Sequence, residues 1–199
     1  MMRTIVAGVV AALIATSAAA QSTELGMMAG FTPAASLDRH APELDDASID
    51  GGVTFSINGS RFLSEHWGFG VEWAQQLSGF GIETAGVQTT LYDMSIAHFH
   101  GYAVYRFGDA AAKVRPFAFG GAGMKFFWAR DLESETKLSF GMGGGLSYFV
   151  SRNLAFEGRV TYKPTMMNDS EAGEFCDPFG FCQSTLQQFE FGAGVRFRF

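Results

Sequence analysis

The sequence predicts an all-β protein: an eight-stranded antiparallel transmembrane β-barrel with an up-and-down meander, following a cleaved signal peptide. Three observations support this prediction. Apolar side chains recur at every second residue in many segments, the connections between these segments alternate between short and long, and an export signal comes first. Side chains of a strand point alternately to opposite faces, so each such segment has one apolar face and one polar face.

The first twenty residues have the order of a secretory signal peptide. A basic start precedes an apolar run over residues 5–15, and the small residues Ala18 and Ala20 form a cleavage site. The apolar run is shorter than the ~20 residues that a membrane-spanning helix needs. We therefore expect a signal peptide at 1–20 and one barrel domain at 21–199.

Composition limits the class of protein and its partners. From residue 21 onward, 13 Lys and Arg stand against 20 Asp and Glu, which gives a net charge of −7. Nucleic-acid binding needs a basic surface, so no nucleic-acid partner is expected. No later apolar run is long enough for a membrane helix, so a membrane location would require a closed barrel.

Five of the predicted strands alternate clearly. An α-helix would mix the apolar and polar sets, because its side chains repeat every 3.6 residues. In chain order the apolar faces consist of Val53, Phe55 and Ile57; Trp67, Phe69, Val71 and Trp73; Leu138, Phe140, Met142, Leu146, Tyr148 and Val150; Leu154, Phe156, Val160 and Tyr162; and Phe189, Phe191, Ala193, Val195, Phe197 and Phe199.

Three further strands are less regular. The segment 23–31 alternates around Gly26 and Gly30, and 91–107 ends in alternating aromatic residues. In 114–128 a run of glycines hides which face is outward, and interior glycines of this kind often mark a β-bulge. The eight predicted strands are 23–31, 51–61, 66–77, 91–107, 114–128, 138–150, 153–164 and 184–199.

The connections alternate in length. Short turns follow the second, fourth and sixth strands, whereas long connections occupy 32–50, 78–90, 129–137 and 165–183. An even strand number with short turns at one end and long loops at the other is typical of outer-membrane barrels, whose termini are periplasmic. Thirteen of the 20 acidic residues lie in the long connections. A solvated surface explains them, and binding of divalent cations shared with lipopolysaccharide is the alternative.

Alternation alone does not decide which face meets water. A soluble barrel of the lipocalin type would turn its apolar face inward, but here that face is crowded with large aromatics while the other combines glycine with charge. The interior of an eight-stranded barrel is narrow and filled by side chains, which suits small residues and paired charges. We therefore place the aromatics outside and predict a charge network in the lumen, made of Glu72, Arg106, Glu157, Arg159, Lys163, Glu190, Arg196 and Arg198.

No catalytic, cofactor or metal site is predicted. His98 and His100 share one face of a strand and could bind a metal or act as an acid–base pair. Ser95 and Asp93 fall on the opposite face, so a catalytic triad from this strand is geometrically poor. The glycine runs lack the Gly-Lys-Ser/Thr sequence of a phosphate loop.

The two cysteines, Cys176 and Cys182, lie close together in the last long connection. Export would place them in an oxidising compartment, where a local disulfide is the simplest expectation. A metal pair would want more ligands nearby, and only Asp177 is available.

The segment from 21 to 199 resembles the small outer-membrane β-barrel proteins of the OmpA/OmpX-like "porin family". The resemblance rests on Tyr105-Arg106-Phe107, on the segments 115–123 and 143–148, and on the terminal strand that ends in Phe199. It implies that Val195, Phe197 and Phe199 are the signal that the barrel-assembly machinery recognises.

These observations predict an integral outer-membrane protein with a structural and surface-interaction role. The expected partners are outer-membrane lipids and lipopolysaccharide, the assembly machinery during insertion, and an unidentified surface ligand. Three alternatives stay open: a small low-conductance porin, a lipid A-modifying enzyme and a soluble periplasmic carrier. The lumen charges would line a gated pore in the first alternative, and form a stabilising plug otherwise.

Overall fold

A computed structural model describes residues 22–36, 47–84, 87–129, 134–166 and 185–199. These residues form a closed antiparallel barrel, and the predicted fold class is confirmed. Each barrel strand pairs with its neighbours in sequence, and the first strand also pairs with the last. The strands are β1 Ser22–Thr32, β2 Gly52–Phe62, β3 Trp67–Thr84, β4 Val87–Arg106, β5 Val114–Ala129, β6 Glu135–Phe149, β7 Leu154–Tyr162 and β8 Phe189–Arg198.

Four short strands extend the barrel at the end that carries the long connections. They are Ala35–Ser36, Ala47–Ile49, Thr165–Met166 and Thr185–Leu186. Within the described ranges, no helix is long and apolar enough to cross a membrane. The predicted signal peptide at 1–20 lies outside the described residues.

The pairing register shows how strongly the strands tilt. Following paired residues from strand to strand around the barrel, a path that starts at Arg196 of β8 ends at Leu186, in the short strand that precedes β8. The two residues are ten positions apart in the chain. Such a stagger tilts the strands by roughly 35–45° and leaves an interior that side chains can fill. Between its two ends the path passes through Gly26, Asn58, Glu72, His100, Gly123, Ser139 and Thr165.

Two predicted boundaries are wrong. The predicted long loop 78–90 is mostly strand, because β3 and β4 pair as far as Thr84 and Val87. The predicted last strand 184–199 is interrupted at 187–188. Residues 78–90 contain threonines and isolated apolar residues that do not alternate regularly. A prediction based on alternation therefore ended both strands too early.

The anticipated bulge in 114–128 does not occur. Strand β5 pairs with both β4 and β6 without a shift of register. The irregularity lies instead between Phe80 and Gly81, in the pairing of β3 with β4. The glycines of β5 therefore serve close packing inside a regular strand: a Cβ at Gly121 or Gly123 would lie about 2 Å from a backbone oxygen of β4.

The predicted polarity of the barrel wall is confirmed. Phe55 and Phe69 are more than half exposed, whereas their neighbours Ser56 and Gly68 are buried. Aromatic rings group near both strand ends: Trp67 contacts Tyr105 with ring centroids 4.9 Å apart, and Tyr162 contacts Phe189 at 5.0 Å. This is the distribution of an outer-membrane barrel, with apolar side chains toward lipid, and the reverse of a soluble carrier.

The structure settles the orientation of β5, which the sequence left open. Arg115, Phe117, Lys125 and Phe127 are buried in the lumen, while Trp128 faces outward. Aromatic side chains therefore occupy both faces of this strand. The small residues Ala118, Gly120 and Ala122 lie on the outward face, so hydrophobicity does not distinguish the two faces.

The three short turns are held by side-chain caps. Ser64 Oγ accepts a hydrogen bond from the backbone N–H of Trp67 at 3.0 Å, and Ser151 Oγ accepts one from Leu154 at 3.1 Å. In the remaining turn Asp109 accepts from Ala111 at 2.7 Å. Gly108 precedes it with a φ of 77°, a left-handed conformation that favours glycine.

Candidate functional site: the barrel lumen

The lumen contains all eight residues predicted for the charge network. Glu72, Arg106, Glu157, Arg159, Lys163, Glu190 and Arg196 are buried, and Arg198 is partly buried. The side chains separate into two ionic groups along the barrel. The turn-side cluster consists of Glu24, Arg106, Glu157, Arg196 and Arg198, and the loop-side cluster consists of Glu72, His98, Arg159, Lys163 and Glu190.

The turn-side cluster is organised around two carboxylates. Glu24 accepts hydrogen bonds from Arg106 Nη1 at 2.7 Å and Nη2 at 2.5 Å, and from Arg198 Nε at 2.9 Å. Glu157 accepts from Arg196 Nε at 2.6 Å and Nη2 at 2.7 Å. Both arginine forks are bidentate, which is the strongest geometry for this kind of pair.

The loop-side cluster links four strands, β3, β4, β7 and β8. Glu72 on β3 lies 2.5 Å from Arg159 Nη2 on β7, and Glu190 on β8 accepts a hydrogen bond from Lys163 Nζ at 2.7 Å. Lys163 also lies 2.7 Å from His98 Nε2, which is 3.5 Å from Glu72 Oε1. The cluster therefore ties neighbouring and opposite walls of the barrel together.

Three buried charged side chains were not among the residues predicted from the sequence. Glu24 is fully buried, Lys125 is 1% exposed and Arg115 is 3% exposed. Glu24 stands at the start of β1, and the other two stand in the strand whose faces the sequence did not resolve. Alternation counted from the outward Leu25 would have found Glu24.

Two apolar clusters fill the described lumen beside the ionic groups. The loop-side cap is a cluster of Ala35, Ile49, Met94, Ile96, Phe127 and Leu186, partly supplied by the short strands. Near the short turns, Phe62, Val104 and Phe117 pack together with Tyr102 and Phe119. Arg106 stacks on Phe62, with its Cζ 4.1 Å from the ring centroid.

Two small cavities lie among these side chains. The larger, about 20 Å³, is lined by residues of both ionic clusters and by the aromatic side chains near the turns. The second, about 10 Å³, lies beside Glu72, His100 and Lys163. A buried water needs roughly 10–15 Å³, so these cavities accommodate about one small molecule each.

The structure shows the surroundings of the two histidines. His98 and His100 both face the lumen, with ring centroids 5.1 Å apart. The Ser95 hydroxyl instead accepts a hydrogen bond from Gln75, away from both imidazoles. Among the described residues, no group of three or more His, Cys, Asp or Glu side chains could hold a metal ion.

The residues of the predicted assembly signal lie at the end of β8. Phe197 and Phe199 face outward, and Val195 is partly exposed. The backbone N–H of Phe199 donates to the carbonyl of Thr23 at 2.9 Å, which ties the last residue to β1. Cys176 and Cys182 lie outside the described residues, so their disulfide stays a prediction.

Comparison with known sequences identifies a family. Residues 6–199 match the profile of the family described as "Outer membrane protein beta-barrel domain". No protein of curated function matches the sequence significantly.

Solved structures of small outer-membrane proteins share the fold. The Neisserial surface protein A superposes with a TM-score of 0.62 at 16% identity, over 89% of this chain and 97% of its own. The outer membrane protein OprG from Pseudomonas aeruginosa gives 0.59 at 13% identity, over 91% and 96%. A major outer membrane protein from Thermus thermophilus gives 0.56 at 13%, over 90% and 100%.

Proposed function

The chain belongs to the outer membrane protein beta-barrel domain family, and on that premise we propose that it is a closed structural scaffold of the bacterial outer membrane. In this role the barrel carries its long connections at the cell surface and its termini in the periplasm. The surface connections contact lipopolysaccharide or other ligands, and the lumen serves as a stabilising plug.

The filled lumen is the observation that carries this proposal. Bidentate arginine–carboxylate pairs cross the turn-side half, and Lys163 joins Glu190 in the loop-side half. An apolar cluster lies at the loop end, and a second one packs among the turn-side ion pairs. Hydrated ions or nutrients need a continuous polar path, whereas this interior offers cavities of about 20 and 10 Å³ separated by packed side chains.

The outer wall supports the membrane location. Strand after strand exposes large apolar side chains that a water-soluble protein would bury, such as Ile57, Leu77 and Phe156. Acyl chains cover such a surface at no cost in hydrogen bonds, because every strand finds its backbone partners within the closed sheet. The terminal residues Val195, Phe197 and Phe199 would guide the assembly machinery to this sheet.

Single-channel recording in planar bilayers tests the closed scaffold. Protein refolded in detergent is first checked by gel migration with and without boiling, since a folded barrel migrates differently from the unfolded chain. We expect no discrete conductance steps after insertion of such material. Reproducible steps would favour the low-conductance porin and overturn the closed lumen.

A further inference from the structure

We propose that the larger lumen cavity is a binding site for one monovalent, single-atom anion of the halide class. The cavity lies between the turn-side and loop-side clusters. Its lining includes Arg106, Arg159, Arg196 and Tyr102, and Val104 and Phe117 form part of its apolar wall.

Unused hydrogen-bond donors are the first reason. Arg106 Nε and Arg159 Nε are both buried and have no hydrogen-bond partner among the described residues. Both guanidinium groups pair with carboxylates through other nitrogens: Arg106 with Glu24, and Arg159 with Glu72. Both arginines line this cavity. Buried N–H groups are nearly always paired, so their two unpartnered donors indicate an acceptor in the cavity.

Charge distinguishes an anion from a water molecule. The turn-side cluster contains three arginines, namely Arg106, Arg196 and Arg198, against the two carboxylates Glu24 and Glu157. The cluster therefore carries one positive charge in excess of its carboxylates, and this excess favours an anion beside it. A water molecule would satisfy the donors but not the charge, whereas a monovalent anion satisfies both.

Glu157 also lines the cavity, but it does not repel an anion strongly. Its carboxylate is held by the Arg196 fork at 2.6 and 2.7 Å and accepts a hydrogen bond from Ser147 at 3.2 Å. The charge of Glu157 is thus neutralised by its own partner. Among the residues that line the cavity, the buried side-chain atoms without a hydrogen-bond partner are Arg106 Nε and Arg159 Nε, which are both donors.

Size selects the class of anion. The cavity volume of about 20 Å³ exceeds the roughly 10–15 Å³ that one water requires. It leaves no room for the five heavy atoms of phosphate or sulfate. The apolar wall around Val104 gives no hydrogen bond to extra oxygens, so a spherical anion fits best.

Anomalous diffraction gives the direct test. The barrel is refolded and crystallised in sodium bromide, with data collected at the bromine edge. We expect an anomalous peak in the cavity within hydrogen-bond distance of Arg106 Nε and Arg159 Nε. Ordinary water density without an anomalous signal would overturn the proposal.

Stability in different salts gives an independent test. We expect halide at ten times its Kd to lower the unfolding equilibrium constant about tenfold relative to gluconate at equal ionic strength. Val104→Ile adds a methyl group to the cavity wall and should abolish that difference. Val160→Ile, the same change on the exposed outer face, should retain it. Equal stability of the unmodified protein in both salts would contradict an anion site, and so would a halide effect that survives Val104→Ile.

Discussion

Lys125 and Lys163 are both buried in the lumen, but their surroundings differ. Lys163 Nζ donates to Glu190 at 2.7 Å and lies 3.6 Å from Glu72. Lys125 Nζ donates to the neutral Gln188 at 2.6 Å and forms no ion pair with a carboxylate of the described residues. A buried ammonium without a countercharge retains most of its desolvation cost, so the two lysines should contribute to stability with opposite sign.

Substitution of each lysine by methionine tests this difference. We expect Lys125→Met to leave the free energy of unfolding unchanged or to raise it, because an apolar chain of similar length replaces an unpaired charge. Lys163→Met should lower it by about 3–5 kcal/mol, because Glu190 and Glu72 lose a partner. Urea unfolding in micelles, followed by tryptophan fluorescence, measures both. A comparable loss in the two variants would contradict the assigned roles.

The ion pairs of Glu24 are not predictable from its neighbours in the sequence. This residue stands near the start of the first strand, where the sequence looks like an ordinary polar beginning. In the structure it is the shared partner of Arg106 and Arg198, which are 82 and 174 residues away in the chain. Arg198 reaches Glu24 because β8 pairs with β1, and Arg106 of β4 reaches it across the lumen. Local sequence patterns encode neither arrangement.

At the scale of elements, the terminal strand combines strong patterning with an exposed end. Phe199 is 76% exposed, and its contact with Thr23 is made through the backbone. Its side chain therefore contributes little to packing of the finished barrel. This arrangement suits a residue that acts during insertion, as the predicted assembly signal requires.

We expect Phe199→Ala to reduce the amount of protein reaching the outer membrane several-fold, while the stability of protein refolded in vitro changes by less than about 1 kcal/mol. Outer-membrane fractionation measures the first effect, and urea unfolding measures the second. Phe189→Ala, at the other end of the same strand, is the matched control and should leave the membrane level unchanged. Equal membrane levels for both variants would argue against an assembly role.

Strand β5 marks the limit of alternation as a guide. Its inward face carries Phe117 and Phe119 beside Arg115 and Lys125, and its outward face mixes glycine and alanine with Trp128. Phe117 belongs to the apolar cluster above the short turns, where it packs with Phe62 and Val104. An aromatic side chain is favourable inside a barrel only when side chains of other strands pack against it. The sequence of the strand itself does not show those partners.

At the scale of the whole molecule, the two ends of the barrel differ in their connections. Four-residue turns, at 63–66 and 150–153, and a seven-residue turn at 107–113 close one end. The other end carries the extended β3–β4 pair, the short extra strands and the two long connections 33–51 and 163–188. Outer-membrane barrels place short turns in the periplasm. The orientation proposed above follows from this asymmetry.

Cysteine labelling on intact cells tests the orientation. In a background with Cys176→Ser and Cys182→Ser, the exposed Ser134→Cys should react with a membrane-impermeant maleimide. Ala110→Cys, exposed in a short turn, should react only after the outer membrane is permeabilised. Labelling of Ala110→Cys alone on intact cells would reverse the assignment.

The sequence by itself determined the fold class, the number of strands and the polarity of most of the wall. It could do so because a closed sheet imposes period two on every strand, and because lipid demands apolar side chains on the face that Phe55 and Phe69 share. It also placed eight charged side chains in the lumen, since each lies on the face of its strand that is opposite the apolar face.

Only the tertiary structure decided which charges pair, how far β3 and β4 extend, and which face of β5 is inward. The partners of Glu24 and Glu72 depend on the stagger of ten residues around the barrel, and that stagger emerges from all eight pairings together. Glycine allows either face to turn inward, so the direction of Phe117 was fixed by the space that neighbouring strands left for it.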